Sequence, residues 1–227
     1  IFKIYRKGNS MKTISKIIRA LAAVCLLSVG ANALEEGTDY QTLEKPLSVP
    51  KDSVVKVFSY ECVHCYKFDR TVTPKLFSEL DGVKFIPYHL KTKGKLGETA
   101  SKIFAAMIAL DEANDVSLLS DKSKFKKAKF AVYNAVHDKN DDFNGGKDKA
   151  RFIQTALSAA GVSDADYDKA LASARAQEIL KTWDDSYDVA KIQGVPAYVV
   201  GGKYLINVKA IGSVDAMAAA VKELLAK

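Results

Sequence analysis

Two cysteines separated by two residues, Cys62 and Cys65, are the side chains of this 227-residue chain whose type and spacing best suit chemistry. Cys65 lies one helical turn after Cys62, close enough for the two sulfurs to form a disulfide. So short a loop constrains the unfolded chain very little, which argues against a purely structural crosslink. The spacing therefore predicts a redox-active dithiol.

The residues around this pair predict a strand before it and a helix after it. Residues 54–59 are β-branched, aromatic and alternating, as in a strand. From position 68 to position 80, apolar residues recur every four positions, as on one face of a helix. The first N–H groups of a helix lack partners and carry partial positive charge. We therefore expect the pKa of Cys62 to lie below that of a free cysteine.

The other potential metal ligands do not favour a metal site. His64 lies between the two cysteines, and His89 and His137 show no paired ligand spacing. The third cysteine, Cys25, lies in an N-terminal leader. We therefore expect no metal and no cofactor.

Residues 1–33 have the composition of a secretory leader. From Met11 it has a basic segment, an apolar core at residues 20–29 and a small-x-small pattern that ends at Ala33. We expect cleavage after Ala33, which removes Cys25, and the apolar core is too short to predict a transmembrane helix. Lipid attachment at Cys25 is the alternative, although the preceding valine fits it poorly.

The formal net charge of +7 does not indicate a nucleic-acid partner. Six of the 34 basic residues and none of the 27 acidic residues lie in residues 1–33. The rest of the chain is almost neutral, so it offers no electrostatic reason to bind a polyanion.

The remainder predicts an α/β fold interrupted by helices. An edge strand at residues 39–43, the central strand and a strand at residues 83–88 give a βαβ unit with parallel strands. Thr73-Pro74 predicts a kink in the intervening helix. Near the C-terminus, Gly201-Gly202 predicts a two-residue hairpin between strands, and Ser213 predicts the N-cap of a last helix.

Residues 91–191 predict helices almost throughout. Gly161 predicts the end of one helix, and Ser163 with Asp166 predicts a capping box for the next. The Lys-rich run at residues 122–129 is interpreted as a solvated helix face, with a docking role as the alternative. Apolar residues recur at helical spacing in five segments, at about positions 100–110, 125–136, 152–160, 167–174 and 179–190.

This order of elements resembles the thioredoxin fold, and its helical insertion is similar to that of the DsbA family of periplasmic thiol:disulfide oxidoreductases. The matching residues are Phe-Ser-Tyr-Glu-Cys-Val-His-Cys at 58–65 and Gly-Val-Pro at 194–196. The resemblance implies an α/β thioredoxin fold with an inserted all-helical domain. The expected division is a leader at residues 1–33, thioredoxin parts at 34–92 and 191–227, and the insertion at 93–190.

The resemblance also implies the site residues. Cys62 and Cys65 form the catalytic pair, and His64 assists the charge on Cys62. The dipeptide Val195-Pro196 is expected to be a cis peptide that faces the dithiol. The residues expected to contact the substrate are Val63, Val195 and Pro196.

Two residues depart from the motif that is usual in this family. Val63 stands where proline is usual, so we expect a shifted redox potential and a changed substrate groove. Glu61 precedes the nucleophile, and its carboxylate opposes a nearby thiolate unless the side chain points away. Because His64 is retained, we still expect an oxidant.

The implied function is that of a periplasmic dithiol oxidase. A substrate thiolate attacks Cys62, and a second substrate thiolate then displaces it from the mixed disulfide. The implied partners are unfolded or reduced exported proteins and a membrane quinone-linked oxidase of the DsbB or DsbI kind. Some family members serve a dedicated substrate, such as an arylsulfate sulfotransferase. We expect a monomer.

Two alternatives use the same fold. A thiol reductase or isomerase would have the more stable disulfide, and an isomerase usually also has a dimerisation module, for which no segment is evident. A non-catalytic peptide-binding chaperone would keep its function after Cys62→Ser.

Overall fold

A five-stranded mixed sheet lies at the centre of the fold. The structure, a computed structural model, describes residues 33–227, so the predicted leader lies outside the described residues except for Ala33. The order across the sheet is β1-β5-β4-β2-β3, with β2 and β3 parallel and the other neighbours antiparallel. The strands are β1 Tyr40–Thr42, β2 Ser53–Phe58, β3 Lys84–His89, β4 Ala197–Val200 and β5 Tyr204–Ile206.

This topology confirms the predicted thioredoxin fold, including the edge strand and the parallel βαβ unit. All six residues of β2 are buried, because this strand lies between β3 and β4 and apolar clusters cover both faces of the sheet, which explains its almost continuous apolar sequence. The hairpin has three connecting residues instead of the predicted two. Gly201 and Gly202 both have a positive φ, and Lys203 then donates its N–H to the carbonyl of Val200 at 3.0 Å.

The helix after the dithiol is divided into α1, Val63–Arg70, and α2, Val72–Ser78. Pro74 has no N–H to donate to the carbonyl of Arg70, four residues earlier, so the α-helical ladder stops there. The predicted kink is thus observed as a complete break, with Thr71 between the two helices at φ −128°.

Between β3 and β4 the described chain contains helices and no strand. Gly161 ends α5 with a left-handed φ of 63°, and the Oγ of Ser163 accepts the N–H of Asp166 at 3.1 Å. Both predicted helix ends are therefore confirmed. The helices of eight or more residues are α3 Gly97–Glu112, α4 Lys124–Tyr133, α5 Lys149–Ala160, α6 Asp164–Leu171, α7 Ala174–Thr182 and α8 Ser186–Gln193, and a four-residue turn of helix, Phe143–Gly146, precedes α5.

Two of the predicted helical segments differ from expectation. Helix α4 continues as a π-helix, Asn134–Asp138. The last segment is divided into α7 and α8 by a 3-10 turn, Trp183–Asp185. At this turn the indole N–H of Trp183 donates to the carbonyl of Pro87 at 2.7 Å. Docking against β3 thus overrides the local helical periodicity.

The sheet separates two apolar clusters. The larger cluster joins one face of the sheet to the helices between β3 and β4. The smaller cluster packs α2 and the last helix, α9 Val214–Leu225, against the other face. The Oγ of Ser213 accepts the N–H of Ala216 at 3.1 Å, so the predicted cap of α9 is confirmed. In the described part of the chain, none of the helices is both long and apolar enough to cross a membrane.

Candidate redox-active site

Cys62 is the N-cap residue of α1. Its backbone is extended, at φ −97° and ψ 103°, and its Sγ accepts the N–H of Cys65 at 3.0 Å. A side chain in this position satisfies one of the N–H groups that a helix leaves without a partner. Negative charge on this sulfur is stabilised there by the hydrogen bond and by the positive end of the helix dipole.

Cys62 and Cys65 form a disulfide with a Cα–Cα distance of 5.1 Å, which lies within the usual range for such a bond. The two sulfurs differ in accessibility, because Cys62 is 5% exposed and Cys65 is fully buried. Cys62 is therefore the more accessible cysteine of the pair.

The loop before β4 faces this disulfide. The Val195-Pro196 peptide bond is cis, as predicted. The carbonyl oxygen of Val195 lies 3.3 Å from the Sγ of Cys62. Val195 is half-buried and Pro196 is buried. The fold thus brings the Val195-Pro196 dipeptide against the dithiol, although the two lie more than a hundred residues apart in the sequence.

The remaining motif residues lie on the surface. Val63, with 41% of its surface exposed, and His64 occupy the first turn of α1. Glu61 is also exposed, and its N–H donates to the Oγ of Ser59 at 3.2 Å. Water therefore surrounds the carboxylate of Glu61 and screens its electrostatic repulsion of a thiolate on Cys62.

Tyr60 connects the site to β3 through its N–H and to the helical segment through its hydroxyl and carbonyl, and this role was missed from the sequence. Its N–H donates to Nε2 of His89 at 3.2 Å, and its hydroxyl accepts the N–H of Leu96 at 3.0 Å. Its carbonyl lies 2.9 Å from Nε2 of His137, on the π-helix. Short insertions of π-helix are common at functional sites.

His89 is a buried neutral imidazole. Because its Nε2 accepts the N–H of Tyr60, the proton lies on Nδ1, which donates to the Oγ of Ser101 at 2.7 Å. Burial lowers the pKa of His89 to about 3. Its ring therefore orients the end of β3 and takes no charge at neutral pH.

The interpretation of residues 122–129 as a solvated helix face is wrong for Lys129. This side chain is only 4% exposed and forms an ion pair with Asp69, as does the buried Lys56. A signal was present in the sequence, because Lys129 lies four residues after Phe125 and therefore on the apolar face of its helix.

A disulfide at the N-cap of a helix, with a cis-proline loop against it on a thioredoxin fold, defines a thiol:disulfide oxidoreductase. Residues 53–222 match the DSBA-like thioredoxin domain. The chain belongs to this DsbA family and is an enzyme of that class.

Individual relatives agree with this assignment. The chain is 52% identical over 208 residues to the thiol:disulfide interchange protein DsbL of Escherichia coli O6:H1, covering 91% of this chain and 94% of that protein. It is 49% identical to DsbL of Lelliottia amnigena, covering 96% and 100%. The crystal structure of DsbL from Salmonella enterica serovar Typhimurium matches with a TM-score of 0.84 and 54% identity, covering 87% of this chain and 100% of that chain.

Proposed function

We propose that the chain is a periplasmic dithiol oxidase that donates the Cys62–Cys65 disulfide to reduced cysteines of exported proteins. The observation that carries this proposal is the environment of Cys62. Its sulfur accepts an N–H at a helix N-terminus, and Cys62 is the more exposed cysteine of the pair. These features stabilise a thiolate and so make Cys62 a good leaving group.

The proposed reaction transfers two electrons from the substrate to the protein. A substrate thiolate attacks the Sγ of Cys62, the Cys62–Cys65 bond breaks, and Cys65 takes the electron pair and then a proton. A second substrate thiolate attacks the substrate sulfur of the mixed disulfide, and Cys62 leaves as a thiolate. The substrate gains one disulfide, and the protein is left as a dithiol.

The neighbouring residues have distinct roles in this proposal. The N–H of Cys65 keeps its hydrogen bond to Cys62 and strengthens it when the sulfur is charged. His64 supplies a polar or positively charged ring beside the thiolate. Val63 and the Val195-Pro196 dipeptide contact the substrate, because they border the accessible sulfur. The helical segment at residues 93–190 forms the other wall of the peptide groove.

The reduced protein must be reoxidised before another turnover. We assign this step to a membrane quinone-linked oxidase of the DsbB or DsbI kind, which the resemblance to the DsbA family suggests. The leader at residues 1–33 supports export to the periplasm, where both partners would be met.

The test is the equilibrium between the Cys62–Cys65 dithiol and glutathione, combined with denaturant unfolding of both redox forms. A stabilised thiolate predicts an oxidising potential and a reduced form that is more stable than the disulfide form. A more stable disulfide with a reducing potential would contradict the proposal and favour a reductase. Full function of Cys62→Ser in a client-folding assay would favour a chaperone instead.

A further inference from the structure

Three charged side chains are buried together behind the dithiol. They are Lys56 of β2, Asp69 of α1 and Lys129 of α4, each at most 4% exposed. Nζ of Lys56 lies 2.7 Å from Oδ1 of Asp69, and Nζ of Lys129 lies 3.0 Å from Oδ2 of the same carboxylate. This set of three residues, the buried ionic cluster, holds two ammonium groups against one carboxylate.

The other polar neighbours of the cluster are hydroxyl groups. Nζ of Lys56 donates to the Oγ1 of Thr73 at 2.9 Å, and the hydroxyl of Tyr133 donates to Oδ2 of Asp69 at 3.2 Å. The hydroxyl of Tyr198 lies 2.9 Å from the Oγ1 of Thr73. Within residues 33–227, Asp69 is the only carboxylate that pairs with either lysine.

The second ammonium group is accommodated by aromatic rings. Nζ of Lys129 lies 5.4, 4.9 and 5.6 Å from the ring centroids of Phe58, Phe125 and Phe130. Such rings attract a cation through their negative faces. These contacts therefore stabilise the positive charge of Lys129 that remains after Asp69 neutralises one of the two lysines.

The protonation states of the three side chains at neutral pH follow from the same contacts. Burial lowers the pKa of Lys129 to about 8, against the attraction of Asp69. Burial acts to raise the pKa of Asp69, but the two ammonium groups outweigh it and leave this pKa below its ordinary value. Burial also lowers the pKa of Lys56, but its Nζ lies 2.7 Å from Oδ1 of Asp69, whose negative charge favours the ammonium form. With both lysines protonated, the buried ionic cluster has a net charge of +1.

The cluster lies one helical turn from the dithiol. Asp69 follows Cys65 by four residues in α1, so both side chains are on the same buried face, about 6 Å apart along the helix axis. The disulfide form of the site is uncharged, whereas reduction places a negative charge on Cys62. A positive charge behind the helix therefore interacts favourably with the reduced form alone.

We propose that the buried ionic cluster is a fixed positive charge that stabilises the Cys62 thiolate, with Lys129 of the helical segment supplying the excess charge. The three side chains touch neither substrate nor reacting sulfur, so they are positioning residues. The inference rests on the proposed role of Cys62 as the leaving thiolate. At an effective dielectric constant of about 20, one charge roughly 10 Å away changes a pKa by on the order of one unit.

The first test is Lys129→Met, which leaves a neutral Lys56–Asp69 pair. We expect the pKa of Cys62 to rise by on the order of one unit, as measured from the pH dependence of Cys62 alkylation in the reduced protein by peptide mass spectrometry. The glutathione equilibrium should shift toward the disulfide by on the order of tenfold. The matched control is Lys127→Met, which removes a lysine from the exposed face of the same helix and should change neither quantity.

A double variant separates charge from packing. Lys129→Met with Asp69→Asn leaves Lys56 as the single charge and restores a net charge of +1, so the pKa of Cys62 should return toward its parent value. If the cluster has a purely structural role, the pKa of Cys62 in the double variant should differ from the parent value by more than it does in the single variant. If Lys129→Met does not fold, Lys56→Met makes the same change in net charge and takes its place.

The outcomes distinguish this inference from the proposed function. A folded Lys129→Met or Lys56→Met protein with an unchanged Cys62 pKa, or a double variant that departs further, would overturn the inference and leave the oxidase proposal intact. A parent protein in which Cys62 has the pKa of an ordinary free thiol would overturn both.

Discussion

The exposed rim of the site and the buried floor behind it are built from different kinds of residues. The rim consists of Cys62, Val63, His64 and Val195, and the floor consists of Lys56, Asp69, His89 and Lys129. The rim presents the reacting sulfur and holds apolar or weakly polar groups around it. The floor contains the charges and the neutral imidazole, which are shielded from water. The bond-making groups thus lie on the rim, whereas the floor touches no substrate and contributes the charge behind the rim and the stability of the fold.

The largest expected effect is on the rim. Cys62→Ser should reduce the oxidation of a reduced dithiol peptide to the uncatalysed rate, because a serine hydroxyl cannot form the mixed disulfide. The free energy of unfolding should fall below that of the reduced parent, because a neutral serine hydroxyl loses the interactions that stabilise the thiolate in the folded state. Cys65→Ser is the control: with a peptide that contains a disulfide, its Cys62 thiolate should attack that bond, release one peptide thiolate and accumulate the mixed disulfide, since no second cysteine of the motif can resolve it. Residual turnover by Cys62→Ser would show that the rim does not contain the reacting sulfur.

The next effect is on the floor. Asp69→Ala leaves two buried ammonium groups without a counter-charge, and we expect a loss of about 3–5 kcal/mol in the free energy of unfolding by denaturant titration. Asp121→Ala is the matched control, because Asp121 pairs with Lys126 at the exposed surface, where ion pairs contribute little. Equal effects of the two substitutions would mean that the floor is not a stabilising layer.

The floor should also make the protein sensitive to acid. His89 has a folded-state pKa of about 3, against about 6.5 in the unfolded chain. Between these values the unfolded state binds more protons, so the free energy of unfolding falls as the pH falls. We expect this residue to account for a loss of about 3 kcal/mol between about pH 7 and about pH 4.

Denaturant titrations of variants at several pH values would check this prediction. His89→Gln should remove that part of the pH dependence, whereas His64→Gln, a change on the rim, should retain it. A parent protein and a His89→Gln variant with parallel stability curves would contradict the assignment of a buried neutral imidazole.

The rim could be predicted from sequence because its signals are local or shared with a family. Cys62 and Cys65 carry their chemistry in their spacing, and the cis peptide at Val195-Pro196 followed from a family resemblance. The floor depends on a contact between Asp69 and Lys129. These residues are sixty positions apart, and the spacing of apolar residues in the sequence does not indicate such a contact. Charged residues on buried faces were nevertheless visible, since Lys56 lies within a strand that is otherwise almost wholly apolar.

The π-helix and the divided last helix could not be predicted for a related reason. Both depend on how the helical segment docks: the π-helix places His137 against the carbonyl of Tyr60, and Trp183 binds the carbonyl of Pro87. Helical periodicity records which face is apolar, but it does not record which backbone group will accept a hydrogen bond across the interface.

Tyr60 offers the smallest and sharpest test of the comparison, because it joins the strand before the rim to the helical segment. Tyr60→Phe removes the acceptor of the buried N–H of Leu96, and an unsatisfied buried donor costs about 1–2 kcal/mol in the free energy of unfolding. Tyr187→Phe is the matched control, since Tyr187 is 48% exposed and should have no measurable effect. If the helical segment acts on Cys62 only through the charge of Lys129, Tyr60→Phe lowers the free energy of unfolding without changing the glutathione equilibrium of the dithiol. A shift in that equilibrium would show that the packing of the helical segment also sets the reactivity of Cys62.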